Sequence, residues 1–254
     1  MKLLLTILFQ WFFICQGQVG KTVSTRTFAY KNFYSAIKKQ FASIDSLFDS
    51  DDYAFPEREN QKIISIVNQY KADMFNFPDR SDYDLIYLNK SSDKNLILVS
   101  WDTRIGGTEM EFRTMAIYKT ALGIETQILV DSSNSLAPLK YMHYNSMHTL
   151  SASKGSKIYL AWGNGMGSTT IPWQEVRAFS ISKGELVQPN VFPGKEPKLY
   201  VDFDLHDFKE NETVPVIKIV NKGRTVLVPA AGKNQGFSGK YAVYQFNGEV
   251  FDKK

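Results

Sequence analysis

From Asn32 to Phe48 the apolar residues Phe33, Ile37, Phe41, Ile44, Leu47 and Phe48 recur at spacings of three and four, which draws one stripe down a helix. The acidic cluster Asp49, Asp51 and Asp52 closes that helix, and Pro56 lies beyond it. A second stripe, Ile63, Ile64, Val67, Tyr70, Met74 and Phe75, predicts another amphipathic helix from about Glu59, stopped at Asn76 and Pro78. After Pro78 the period changes. Short runs rich in Val, Ile, Tyr, Phe and Thr alternate with Gly, Asn, Asp and Ser, which is the pattern of an antiparallel β body.

That β body is self-similar. When "SSDKNLILVSWDTRIGGT" is placed over "SASKGSKIYLAWGNGMGST", Trp101 falls on Trp162, Ile97 on Ile158 and Gly107 on Ser168; further on, Tyr118 meets Phe179 and Gly123 meets Gly184. A third copy, "NKGRTVLVPAAGKNQGFSGKYAVYQFNGEVF", keeps the order of turn, apolar strand, Gly-rich connection and aromatic strand. Candidate leading strands precede the copies at Asp84 to Leu88, Ser146 to Ser151 and Val214 to Val220. The expected fold is therefore mainly β: three repeated four-stranded antiparallel units, propeller-like or closed as a barrel or sandwich, with two N-terminal amphipathic helices. Propellers normally have four to eight blades, so three units close a ring only if the insert from Leu199 to Phe208 and N-terminal segments complete it.

The start of the chain adds a third kind of segment. Lys2 precedes an apolar run from Leu3 to Ile14, and Cys15-Gln16-Gly17 supplies small residues for cleavage, the make-up of a secretory signal peptide. The run is shorter than the about 20 apolar residues a spanning helix needs. Cleavage after Gly17 divides the chain into a signal peptide at 1–17, a helical segment at 18–80 and the repeated β domain at 81–254. It implies an exported protein, periplasmic or extracellular, with no integral membrane segment left. A lipoprotein competes, but Phe13 and Ile14 stand where lipidation signals usually place small residues. Cys15 is the only cysteine, so cleavage leaves neither thiol nor disulfide, and stability rests on the core.

Charge narrows the partners. The formal net charge of +4 is spread along the chain in both signs, without the clustered basic residues of a nucleic-acid footprint. Aromatic residues make up 14% of the chain, which suits sheet faces and also carbohydrate or protein surfaces.

Three places carry candidate chemistry. The first is the Gly-rich connection of each unit: Asp102 to Thr108, Gly163 to Thr169 and Ala230 to Ser238. A phosphate-cradling loop leads from a strand into a helix, whereas each of these leads into a strand, so turn geometry explains the glycines. If the loops gather on one rim, Trp101, Asp102, Arg104, Trp162 and Asn164 line a shallow ligand site. The second place is "LYVDFDLHDF", where a continuous strand sets Asp202, Asp204 and His206 on one face, as a solvated polar face or as ligands for a divalent cation. No other cofactor is implied. The third is the set of carboxylates Glu109, Glu111 and Glu175 near Trp173, the residue types of a glycoside hydrolase and also of any exposed hairpin. His143 and His148, five residues apart, should face opposite sides of a strand. No Gly-x-Ser-x-Gly and no His-Glu-x-x-His occurs in the chain.

The run "LVSWDTRIGGT" followed by "YKT", then "IYLAWGNGMGST", "VRAFSI" and "GKYAVYQFNGEVF", resembles an uncharacterised family of exported bacterial, mostly β proteins with repeated hairpin motifs of this kind. The resemblance spans roughly Asp84 to Phe251. It implies export and a mostly β body, and brings no catalytic residues. The first expected function is a non-enzymatic binding module for a glycan, peptide or envelope or extracellular protein. The alternatives are a glycan- or ester-directed hydrolase using carboxylates of the β domain, and an interaction module that meets its partner through the helices.

Overall fold

The structure, a computed structural model, describes residues 28–46, 55–78, 85–105, 110–129, 142–153, 155–166, 170–209, 212–231 and 237–254. The expected signal peptide, Leu47, Phe48 and the acidic cluster at 49–52 lie outside them.

Helix α1 covers residues 28–46 and buries Phe33, Ile37, Phe41 and Ile44, the stripe its spacing predicts. Helix α2 spans Phe55–Tyr70, beginning about four residues before the expected Glu59. Pro56 is thus inside the first turn, where its missing N–H costs nothing. The apolar stripe outlasts the α-helix: Met74 and Phe75 are carried into the core by a 3-10 turn, Asp73–Asn76.

The β body forms three antiparallel sheets in chain order. The first is the meander β1 (Tyr87–Lys90), β2 (Leu96–Asp102), β3 (Phe112–Thr120) and β4 (Gly123–Ile128). The middle sheet repeats it with β5 (Met142–Ser151), β6 (Lys157–Met166), β7 (Pro172–Ser182) and β8 (Glu185–Val187), and gains β9 (Lys198–Asp202) along β7. The insert near Leu199 is therefore a fifth strand of the middle sheet. The third sheet is β10 (Lys218–Val220), β11 (Thr225–Ala231), β12 (Phe237–Phe246) and β13 (Phe251–Lys253). Leading strands are displaced from their expected bounds: β1 and β10 start later and β5 starts earlier.

Layers stack in the order helices, first sheet, middle sheet, third sheet. Ile97, Val99, Trp101, Met115 and Ile117 meet the helices; Leu96, Leu98, Ala116 and Tyr118 turn the other way, onto Tyr144, Tyr159, Trp173 and Phe179. Ile158, Leu160, Val176 and Ala178 then meet Val226, Val228, Phe246 and Phe251 of the third sheet. Each sheet keeps its own ladder among the described residues, so the layers make a stacked sandwich in which no barrel closes.

Burial on both faces explains a failure of the 61-residue superposition. Leu96 stands opposite Tyr118, but Phe179 stands opposite Tyr159, two residues along from the expected partner. Trp101 and Trp162, superposed in sequence, point to opposite outer sides of the first two sheets: one to the helices, the other to the third sheet. When both faces are apolar, the hydrophobic pattern no longer fixes which residue faces which way.

Polar bonds set the sheets side by side. Asn89 Nδ2 donates to the Tyr144 carbonyl at 2.7 Å and the Ser92 N–H to Thr149 Oγ1 at 3.1 Å, so β1 and β5 run alongside each other in the same direction. The Gln174 amide donates to the Pro215 carbonyl at 2.9 Å and accepts from the Ile217 N–H at 2.8 Å, which seats the approach to β10 beside the start of β7. Gly223, at φ +91°, fits beneath β5; a Cβ there would lie 3.0 Å from His148 Cβ. The consequence for function is common alignment. Since β1 and β5 run in the same direction and the approach to β10 meets the start of β7, strands β2, β6 and β11 end on one side of the stack.

Candidate functional site

The rim begins where β2 leaves the ladder. Trp101 does not line it: the residue is 0% exposed in the core beneath the helices, where its indole N–H donates to Asn60 Oδ1 at 2.8 Å. Asn60 Nδ2 in turn donates to the carbonyls of Pro56 (2.7 Å) and Thr103 (2.8 Å). Every polar atom of this buried amide is used, so Trp101 is a pin between α2 and the first sheet rather than a stacking surface.

Asp102 and Arg104 do reach the rim. Asp102 Oδ1 accepts from the Arg104 N–H at 2.9 Å and Oδ2 from Arg104 Nη1 at 2.8 Å, an Asx turn closed a second time by the guanidinium. Arg104 Nε faces Asp45 of α1 at 3.6 Å. Its backbone is left-handed at φ 62°, which costs a non-glycine residue roughly 1–2 kcal/mol. Thr103 holds the loop's other side, donating from both its N–H (2.8 Å) and its hydroxyl (3.0 Å) to the Glu111 carbonyl. Gly106, Gly107, Thr108 and Glu109 lie outside the described residues, as do 167–169 and 232–236 of the sister loops.

Beside this turn is an aromatic stack. His143, near the start of β5, lies flat on Tyr87 (ring centroids 3.8 Å apart, 24° between planes) and against Phe112 (4.6 Å, 47°). Gly163 makes room for the strand that carries it, since a Cβ there would fall 2.3 Å from the His143 carbonyl oxygen. His143 is 8% exposed and its Nδ1 is buried without a hydrogen-bond partner. Burial pulls its pKa down to about 4 against a smaller opposing effect of Asn145. Tyr87 stays 39% exposed, and burial followed by the Asp102 charge raises its phenol. Asn164 stands opposite His143 in the ladder and accepts from Asn145 Nδ2.

The other residues singled out in sequence disperse. Trp162 is half-buried against the third sheet, its indole N–H enclosed without a partner. His143 and His148 were expected on opposite sides, but a bulge between Tyr144 and Ser146 intervenes. Their contacts nevertheless part as expected: His143 lies on Tyr87 and Phe112 of the first sheet, whereas His148 lies against Gly223 of the third. The expected strand face of Asp202, Asp204 and His206 is not formed. Strand β9 ends at Asp202, and Asp204 instead caps a 3-10 turn, Leu205–Asp207, by accepting from the His206 N–H at 2.9 Å. Among the described residues no group of three or more His, Cys, Asp or Glu is arranged to hold a metal ion.

Glu175 is 0% exposed and bound by Arg177 through Nε (2.6 Å) and Nη2 (3.0 Å), with Lys198 Nζ at 3.7 Å and the Tyr144 hydroxyl at 3.4 Å. Its charge is fully engaged between β7 and β9, while Asp202 is exposed. The two do not present a pair of free carboxylates.

Several apolar side chains are exposed on the strand ends and connecting segments of the first and middle sheets. Tyr87, Ile105, Met110 and Ile171, each 39–42% exposed, lie at the start of β1 and on the segments leading into β3 and β7. Tyr87, Phe112 and His143 were missed as site residues because their meeting depends on β1 packing beside β5, which no local pattern announces. No family model, curated protein or solved structure matches the chain.

Proposed function

We propose that the protein is an exported, non-enzymatic binding module that holds a glycan, peptide or envelope protein on the rim of the first and middle sheets. The observation that carries this reading is that exposed Tyr87 shares the end of the first sheet with the Asp102–Arg104 clasp, while Ile105, Met110 and Ile171 are exposed on the segments that follow β2 or lead into β3 and β7. Loops held by rigid sheets are common binding places, and singly exposed apolar residues gain meaning when they gather at one edge. Against a hydrolase stands Glu175, whose carboxylate is buried and ion-paired. No helix among the described residues is long and apolar enough to cross a membrane.

The test is a paired screen of the protein on glycan and peptide arrays, with Ile105→Ser/Met110→Ser as the rim variant. Leu122→Ser, at the 96% exposed tip of the β3–β4 turn, is the control. Loss of binding in the rim variant alone supports the reading; equal binding by both variants refutes it.

A further inference from the structure

Resting on the rim reading, we infer that the ligand is a neutral saccharide, which stacks a sugar face on Tyr87 and places vicinal hydroxyls on the Asp102–Arg104 clasp. Three features carry this. The Tyr87 ring is held before any ligand arrives: His143 backs it at 3.8 Å and Phe112 meets it edge-on at 6.3 Å, yet 39% of the residue remains open. A ring fixed in place loses little entropy on binding, and its apolar face suits the C–H side of a pyranose.

Next to the ring, Asp102 supplies acceptor oxygens and Arg104 supplies N–H donors, both oriented by the turn they close. An acceptor and a donor side by side match two neighbouring hydroxyls, each able to give and to take a hydrogen bond.

Charge selects among saccharides. Arg104 is one cation between two carboxylates, Asp102 at 2.8 Å and Asp45 at 3.6 Å. The clasp therefore has no spare positive charge for a uronate, sialate or phosphate, and an anion set on it would meet an uncompensated carboxylate. A polyhydroxyl ligand without charge satisfies the donors and acceptors and leaves the balance unchanged.

The experiment is calorimetric titration of the protein with four hexamers: cellohexaose and N-acetylchitohexaose as neutral probes, hexagalacturonate as the acid, and deacetylated chitohexaose as the cation. The inference expects binding of a neutral hexamer that Tyr87→Leu and Asp102→Asn each weaken about tenfold or more. Leu122→Ser should leave it unchanged, with thermal melting confirming that every variant folds; Tyr87→Phe, which keeps the ring, should retain most of the affinity. Preference for the acidic or cationic hexamer, still dependent on Tyr87, overturns the neutral-saccharide inference and leaves the rim reading intact. So does failure of every neutral hexamer at millimolar concentration when a peptide binds at the rim. Binding that ignores Tyr87, Ile105 and Met110 alike overturns both.

Discussion

His143 lies flat on Tyr87 with 3.8 Å between ring centroids, although one side chain comes from the middle sheet and the other from the first. The stack joins two layers that share no ladder, and it does so with an imidazole whose Nδ1 is enclosed and unpartnered.

That enclosure makes stability depend on pH. The folded protein holds His143 neutral, with its pKa lowered from 6.5 to about 4, so unfolding takes up a proton between those values. The contribution is complete above pH 6.5 and is lost as pH falls towards 4, on the order of 3 kcal/mol in all. Urea unfolding at pH 7.5 and 4.5 measures it. His143→Phe, which keeps the ring contact, should flatten most of the slope; His148, lowered by burial in the same direction, supplies a remainder. An unchanged slope in His143→Phe refutes the assignment.

Asn60 is the polar counterpart of that stack. Replacing it with Ala strands the Trp101 indole N–H and the Thr103 carbonyl in a dry layer. The expected loss is about 3 kcal/mol in chemical denaturation, since each unsatisfied buried group costs about 1–3 kcal/mol. Trp101→Phe leaves Asn60 Oδ1 without its donor and a cavity where the larger ring stood, and should also destabilise by about 2–4 kcal/mol. Because Trp101 is a pin and not a ligand platform, neither change should alter ligand specificity where the protein remains folded.

Gly163 tests how closely β5 and β6 must approach. An added methyl would sit 2.3 Å from the His143 carbonyl oxygen and 2.6 Å from the Met142 terminal methyl, and the first of these is backbone, which cannot swing aside. Gly163→Ala should cost about 3 kcal/mol, the upper part of the overpacking range, and should displace His143 from Tyr87. Thermal melting reads the first effect; the second appears as weaker rim binding in protein that is still folded.

These residues also mark what the chain's pattern could and could not reveal. Phe33, Ile37, Phe41 and Ile44 were legible because α1 buries only one face, so their spacing records a single packing partner. The repeated hairpins were legible from their turns. The direction of Trp101 was not: the first two sheets are covered on both faces, and a strand apolar on both sides carries no parity. Asp202, Asp204 and His206 misled for a different reason. Alternating polar residues describe a strand face, but an aspartate two residues before a backbone N–H also makes a cap, and at Asp204 the cap ends the strand. The Tyr87–His143–Phe112 stack depends on contacts between remote segments and left no local mark.

Glu175 and Arg177 provide the last prediction, because sequence offered the carboxylate as a catalytic candidate and the structure makes it an ionic strap. The two lie two residues apart on β7, with Glu175 0% exposed and the pair closed at 2.6 and 3.0 Å. Burying two charges is costly and their attraction roughly repays it only while both are present. Glu175→Gln leaves the guanidinium and Lys198 without their carboxylate, while Arg177→Met leaves the carboxylate with Lys198 Nζ at 3.7 Å as its remaining cation. Each single change should cost about 3–5 kcal/mol, and the double change Glu175→Gln/Arg177→Met clearly less than the two together. A double-mutant cycle by urea denaturation gives the coupling. Additive losses would show that the pair is not a unit. Rim binding that disappears in a well-folded Glu175→Gln protein would return this carboxylate to the functional site.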